Sequence, residues 1–272
     1  MMATADAHYA LPDLGRRIVD GLRAAGVDPE APTLDDLAPV DHFHTRGLQA
    51  SRELIGLAGL GDDDQVLDVG GGIGGSARLL ASEVGCRVTV VDLTEAYVEV
   101  GRDLTRRVGL ADRVEVVVGD ALSLPVPDGA FDAVWTQHAS MNIADKERMY
   151  AEARRALRPG GTLAIHEVTA GPGGPVHLPV PWARDPAHSH LWPAGELREM
   201  ITGLGFREVA WEDGSSASLE FNRARVAAAA AGLPPLGLHL LLGDDYGAMF
   251  ANQVLNLEEE RIRIIMGVWR KA

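Results

Sequence analysis

Three carboxylates stand at the ends of apolar runs in the first half of the chain. Asp68 follows Val66-Leu67, Asp92 follows Val88-Thr89-Val90-Val91, and Asp120 sits in Gly119-Asp120-Ala121 after the run from Val114 to Val118. Between the first two lies Gly70-Gly71-Gly72-Ile73-Gly74-Gly75. Glycine reaches positive φ and has no Cβ, so a ligand can come close to the backbone of such a turn. The free N–H groups of a helix starting at Ser76 would point back into it. Asp68, two residues before Gly70, can accept hydrogen bonds from an amine and would repel a diphosphate. Asp92 can hold both hydroxyls of a ribose, a feature shared with NAD-binding sheets. Asp120 can accept from an exocyclic amine such as that of adenine. The pattern points to a nucleotide-like ligand that carries an amine.

A second set of residues falls where a reacting partner would meet that ligand. A fourth apolar run ends in Trp135-Thr136-Gln137-His138-Ala139-Ser140-Met141-Asn142. Ligands of doubly wound sheets sit beyond the carboxyl ends of the strands, so His138 and Asn142 are placed to face the reacting group. His138 is a candidate base, or else packs against the cofactor or behind the residues that touch it. Glu167 is the other candidate base. It neighbours His166 at the end of a fifth run, and strand alternation lets one of the pair face the site. Trp182 and Trp192 are candidates to line an apolar pocket or to hold an amine by cation–π contact, or else simply to pack a cap onto the sheet. His42-Phe43-His44-Thr45-Arg46, just ahead of a helix, reads either as a lid, with His44 a substrate contact, or as a surface turn. The apolar run from Leu236 to Gly243, followed by Tyr246 and Phe250, is a pocket roof, a homodimer contact or cap core.

The elements that must carry these residues follow from periodicity. Strands are predicted over 65–69, 86–92, 114–118, 131–135, 162–168 and 206–211, with a last strand over 261–270. Helices are predicted over 74–84, 94–108, 145–157 and 193–204. The alternation means βαβ units and a parallel sheet covered on both faces. Before it, helices are expected near 11–25 and 48–58, with Pro29, Pro32 and Pro39 breaking regular structure between them. Segments 169–192 (irregular) and 214–258 (mostly helical) read as cap insertions, which gives an N-terminal helical lid over 1–60 and one domain over 61–272.

Composition narrows the classes. At 272 residues and 46% hydrophobic content the chain can bury one large core. A net charge of −14, scarce lysine and no Lys/Arg run argue against nucleic acid. Cys86 is the single cysteine, so no intrachain disulfide or cysteine metal cage forms. There is no signal-peptide pattern or membrane-length apolar run, and the cytoplasm is the expected location.

The order of these features, Asp-x-Gly-x-Gly, an acid, Gly-Asp-Ala, then Phe131-Asp132-Ala133-Val134 and Leu157-Arg158-Pro159-Gly160-Gly161, resembles the class I S-adenosylmethionine-dependent methyltransferases. The likeness is close over residues 60–168 and looser beyond. It extends to the small-molecule branch, which includes sarcosine/dimethylglycine, tocopherol and ubiquinone-pathway methyltransferases. The resemblance implies a seven-stranded sheet whose last strand is antiparallel and inserted beside the sixth. It implies that Gly70 and Gly72 lie against the amino-acid part of S-adenosylmethionine, Asp92 on the ribose, Leu93 and Ala121 on the adenine, and Asp120 on its amine, with Gln137 in the same cofactor set. The Asn/Asp-Pro-Pro-aromatic motif of DNA and protein amide methylases is missing after the fourth strand, so a small metabolite is the expected acceptor. His188-Ser189-His190 raises a metal, but methyl transfer needs none and none is expected. Two rivals remain: an NAD(P)-dependent oxidoreductase, and a cofactor-binding protein without catalysis.

Overall fold

A computed structural model describes residues 13–272. Its centre is a seven-stranded sheet in the order β3-β2-β1-β4-β5-β7-β6. The strands are β1 Gln65–Val69, β2 Arg87–Asp92, β3 Val114–Val118, β4 Phe131–Gln137, β5 Leu157–Ala170, β6 Phe206–Asp213 and β7 Ile262–Lys271. Strands β1 to β5 are parallel to one another, while β7 runs antiparallel between β5 and β6. The inserted last strand is thus as the resemblance implies. Strand β5 is longer than the predicted 162–168, because pairing of Leu157 with Phe131 begins it directly at the end of the preceding helix.

Helices α1 Leu14–Ala24, α2 Leu34–Asp41 and α3 Gly47–Ala58 precede the sheet. In α1, Leu14, Ile18 and Leu22 share one buried stripe, as their spacing predicts; the predicted residues 11 and 12 lie outside the described range. The helix α2 is a correction, since three prolines argued for irregular chain there. A capping box starts it: Asp36 N–H donates to Thr33 Oγ1 at 3.2 Å and Thr33 N–H to Asp36 Oδ2 at 2.8 Å. Pro39 then removes only one bond from a helix already begun. Ala50, Leu54 and Ala58 of α3 are buried in the same cluster as β1, β2 and β4 residues, so α3 covers the sheet itself.

The sheet is crossed by α4 Gly75–Glu83, α5 Glu95–Arg107, α6 Lys146–Ala156 and α7 Ala194–Gly203. Val66, Val88, Val90 and Trp135 point to one apolar layer, and Leu67, Val69, Val91 and Val134 to the other. Alternate residues of single strands thus feed cores on both faces. The cap comprises α8 Ser215–Ala230, the short α9 His239–Leu242 and α10 Tyr246–Glu258, with α8 and α10 packed on each other and on β7. A fully buried ion pair, Arg78 to Asp41 at 2.6 Å, locks α2 onto α4. Among the described residues no helix is long and apolar enough to cross a membrane.

Candidate active site

The carboxyl ends of β1, β2, β3 and β4 open into a cavity of about 620 Å³ roofed by the cap. That volume lies within the range typical of small-molecule sites. Its floor is the glycine turn. Gly70, Gly72 and Gly74 have φ of 72°, 57° and 81°, which a side chain adopts only at a cost. A Cβ on Gly71 would lie 2.5 Å from Asp68 Oδ2 and 2.7 Å from Val90 Cγ1, so that position admits no side chain without movement.

The three strand-end carboxylates all line this cavity. Asp68 is 1% exposed, and its Oδ2 has no hydrogen-bond partner. Burial, with Asp92 nearby, pushes its carboxyl up to about 7. An unsatisfied buried carboxylate oxygen in a polar cradle is a group prepared for a donor that arrives with a ligand. Asp92 braces the turn, with Oδ2 accepting from Gly72 N–H at 2.8 Å and Oδ1 from Thr94 N–H at 2.9 Å. Asp120 Oδ1 accepts from Leu122 N–H at 2.8 Å. Leu93 is 49% exposed, a large apolar side chain left open at the rim beside Ala121. These positions fit the implied cofactor: donors and acceptors for an amino acid, a ribose and an adenine stand at successive strand ends, and an open apolar face is ready for a base.

Gln137 also lines the cavity, and three donors fix it. Its Oε1 accepts from Ser76 Oγ at 2.7 Å, Trp135 Nε1 at 2.9 Å and Ser51 Oγ at 3.2 Å. The next residue, His138, holds a left-handed backbone with φ 53°, uncommon for a residue with a side chain. Its Nε2 is buried without a partner. Burial lowers its pKa to about 3, so the imidazole stays neutral. His166 packs against it at 4.7 Å between ring centroids, and His44 at 6.1 Å. His44 lines the cavity and is held by Gly47 O at 3.1 Å and Ser51 Oγ at 3.0 Å.

Of the other predicted residues, Asn142 and Trp182 line the cavity. Asn142 Nδ2 donates to Trp182 O at 2.7 Å and to His188 O at 3.1 Å, tying the β4 turn to the cap loop. Glu167, Trp192 and Tyr246 do not line it, which corrects three expectations. Glu167 is fully buried beneath the Ser140 turn, where it accepts from Ser140 N–H at 3.2 Å. Burial pushes its carboxyl up, and Lys146, itself lowered by burial, faces it. The pair pins the turn that carries His138 and Asn142. Trp192 holds the loop by its backbone, accepting from Ala170 N–H at 2.8 Å. Tyr246 packs on Phe250, which reaches the cavity in its place.

Sequence reasoning missed Tyr97, Arg225 and Gln253, all in the lining. They lie on helices whose orientation depends on tertiary packing, and nothing local marks them. His188 and His190 line the cavity as well, and no group of three His, Cys, Asp or Glu among the described residues is placed to hold a metal.

Residues 67–165 match the family model described as a methyltransferase domain, a span that contains the glycine turn and all three strand-end acids. Over this span the chain is similar to the S-adenosylmethionine-dependent methyltransferases that its motifs resemble. A sarcosine/dimethylglycine N-methyltransferase from Halorhodospira halochloris is 36% identical over 180 residues, which is 66% of this chain and 63% of the relative. A glycine/sarcosine/dimethylglycine N-methyltransferase from Actinopolyspora halophila is 31% identical over 64% of this chain and 31% of its own length. The aligned part thus spans less than two thirds of either relative. Among solved structures, the geranyl diphosphate C-methyltransferase of Streptomyces coelicolor A3(2) superposes with a TM-score of 0.71 at 19% identity, covering 97% of this chain and 99% of that one. The [4+2]-cyclase SpnF does so at 0.70 and 24%, covering 98% and 96%. At such identities the likeness concerns the methyltransferase fold alone.

Proposed function

We propose that this chain binds S-adenosylmethionine at the glycine turn and transfers its methyl group to a small-molecule acceptor under the cap. The observation that carries the reading is the buried, unpartnered Oδ2 of Asp68 at the lip of that turn, with Asp92 and Asp120 at the next two strand ends. Asp68 accepts from the cofactor's ammonium, Asp92 from its ribose and Asp120 from its adenine amine, while Leu93 packs on the base. Asp145 lines the cavity with these three, and Asp41, which lines it too, is already paired with Arg78; acids outnumber the lining's one arginine, so the field favours a cationic cofactor. The curated relatives named for sarcosine and dimethylglycine favour a small metabolite as acceptor.

S-adenosylmethionine supplies a methyl group already activated on a positive sulfur, so the chain's work is to align, desolvate and accept hydrogen bonds. Bound there, the cofactor would offer its methyl carbon to the acceptor's lone pair, the carbon–sulfur electron pair would stay on sulfur, and the acceptor's proton would leave to solvent. With a pKa near 3, His138 is a weak proton acceptor. Its role is to take a hydrogen bond from the acceptor and fix the direction of the lone pair. Trp182, Phe43 and Phe250 close the space to water.

The test pairs binding with turnover. Calorimetry should show S-adenosylhomocysteine binding to the wild type and about 10- to 100-fold more weakly to Asp92→Ala. Labelled methyl should then appear in at least one compound of a panel of small amines, phenols and carbon acids. Unchanged affinity in Asp92→Ala sinks the cofactor assignment, and binding of NAD in its place favours the oxidoreductase. Tight binding with no methyl transfer favours a protein without this catalysis.

A further inference from the structure

Arg225 is the single cation among the described residues that line the cavity. It lies on α8, half-buried, with its guanidinium carbon 4.6 Å from the centroid of Phe250 and 4.8 Å from that of Phe221. No carboxylate lies within 4.0 Å of it among the described residues, although the chain carries 39 acidic residues. Its neighbours differ. Arg223, two positions away and facing solvent, pairs with Glu258 at 2.6 Å, and Arg184 pairs with Asp245 at 2.7 Å. Arg225 also forms the partition to an outer hollow bordered by Arg46 and Arg52, but those are paired with Glu53 and Glu83. Two aromatic faces stabilise a cation only in part, and burying an unpaired charge is costly. Burial lowers its pKa, yet an arginine starts so high that it stays charged at neutral pH. A charge kept at such a cost on the wall of a binding cavity is a receptor for the opposite charge.

We infer that Arg225 binds a carboxylate carried by the methyl acceptor. This deepens the proposed function and rests on it. The sheet order sets β1, β2 and β3 to one side, so Asp68, Asp92 and Asp120 belong to the cofactor half. Arg225 comes from α8, which packs on β7 at the other side of β4 and β5, and so belongs to the acceptor half. Phe250 lies against it and His44 is close enough to feel its charge, and neither is anionic. The fork of a guanidinium matches a carboxylate in two parallel hydrogen bonds. A single cation in a cavity whose other half presents Asp68, Asp92 and Asp120 suits one negative charge and disfavours a phosphate or diphosphate.

The probe is benzoate, whose ring suits the phenylalanine and tryptophan walls, compared with benzamide and phenyl phosphate. The full chain is first titrated with S-adenosylhomocysteine by calorimetry, then each probe is added at saturation. Benzoate should bind at least tenfold more tightly than benzamide and no less tightly than phenyl phosphate. Arg225→Gln should lose about 10- to 100-fold in benzoate affinity while its S-adenosylhomocysteine affinity stays unchanged. Arg225→Lys, which keeps the charge and guards against a misfolded cap, should retain benzoate within about tenfold. Equal binding of benzoate and benzamide, tighter binding of phenyl phosphate, no benzoate binding, or indifference to Arg225→Gln each overturns the inference while the cofactor titration stands. Failure of that first titration overturns the cofactor reading instead.

Discussion

The two halves of the cavity are built by different means. The cofactor half uses backbone turns and carboxylates contributed by consecutive strand ends, Asp68, Asp92 and Asp120, within some 50 residues of chain. The acceptor half uses side chains from five separate segments: His44, His138, Trp182, Arg225 and Phe250. One is acidic and made of short local motifs. The other is aromatic, holds neutral histidines and one cation, and exists only once the cap has docked on β7. A sheet edge can thus present a constant cradle while the packing of distant helices sets what is placed against it.

The Arg78–Asp41 pair ties α2 to the helix that leaves the glycine turn, and it offers the largest test of how the cradle is built. Arg78 also donates to Ile73 O at 2.8 Å and Thr105 Oγ1 at 3.1 Å, and is fully buried. Asp41→Ala leaves that guanidinium without its carboxylate, and urea denaturation should register a loss of about 3–5 kcal/mol. A loss below about 1 kcal/mol would mean that α2 is an appended lid rather than part of the cradle.

Next in size is the pH response of the cofactor half, which turns on Asp68 with its pKa near 7. Above that pH the carboxylate is charged and attracts an ammonium; below it the group is neutral. S-adenosylhomocysteine should therefore bind about tenfold more weakly at pH 6 than at pH 8. Unliganded stability runs the other way. The unfolded chain releases this proton near pH 3.9 and the folded chain near 7, so this group's contribution declines as pH rises between the two. Asp68→Asn should flatten both dependences. A binding profile that stays flat in the wild type would locate the ammonium partner elsewhere.

The same division explains what was legible in the sequence. The cradle was, because each of its acids sits beside the strand and turn that position it, and alternation places them on one edge. The antiparallel place of β7 beside β6 came from the family resemblance, since no local signal in Ile262–Lys271 states its neighbours. Glu167 was misplaced because neither it nor its neighbour His166 reaches the cavity: both are fully buried, and Glu167 faces a buried Lys146 that periodicity could not foresee. Tyr246 was misplaced because the sequence does not say how α10 sits over the cavity: it shares one helix face with Phe250, four residues on, and only Phe250 reaches the lining. Arg225 was invisible for the same reason: α8 is rich in alanine and has scarcely any apolar stripe, so its facing is decided by α10.

The smallest effect is the most discriminating for the acceptor half. His138 holds φ 53°, a conformation that costs a residue with a side chain about 1 kcal/mol or more and that glycine adopts freely. If the histidine is there to present Nε2 to an acceptor, the fold gains little from it beyond contact with His166. His138→Gly should then leave stability unchanged or raise it by about 0.5–1 kcal/mol in urea denaturation, while methyl transfer falls about tenfold or more at constant S-adenosylhomocysteine affinity. A destabilisation beyond about 1 kcal/mol would show that the imidazole is a packing residue. The backbone at 138 would then be held by the fold, not by the needs of the acceptor.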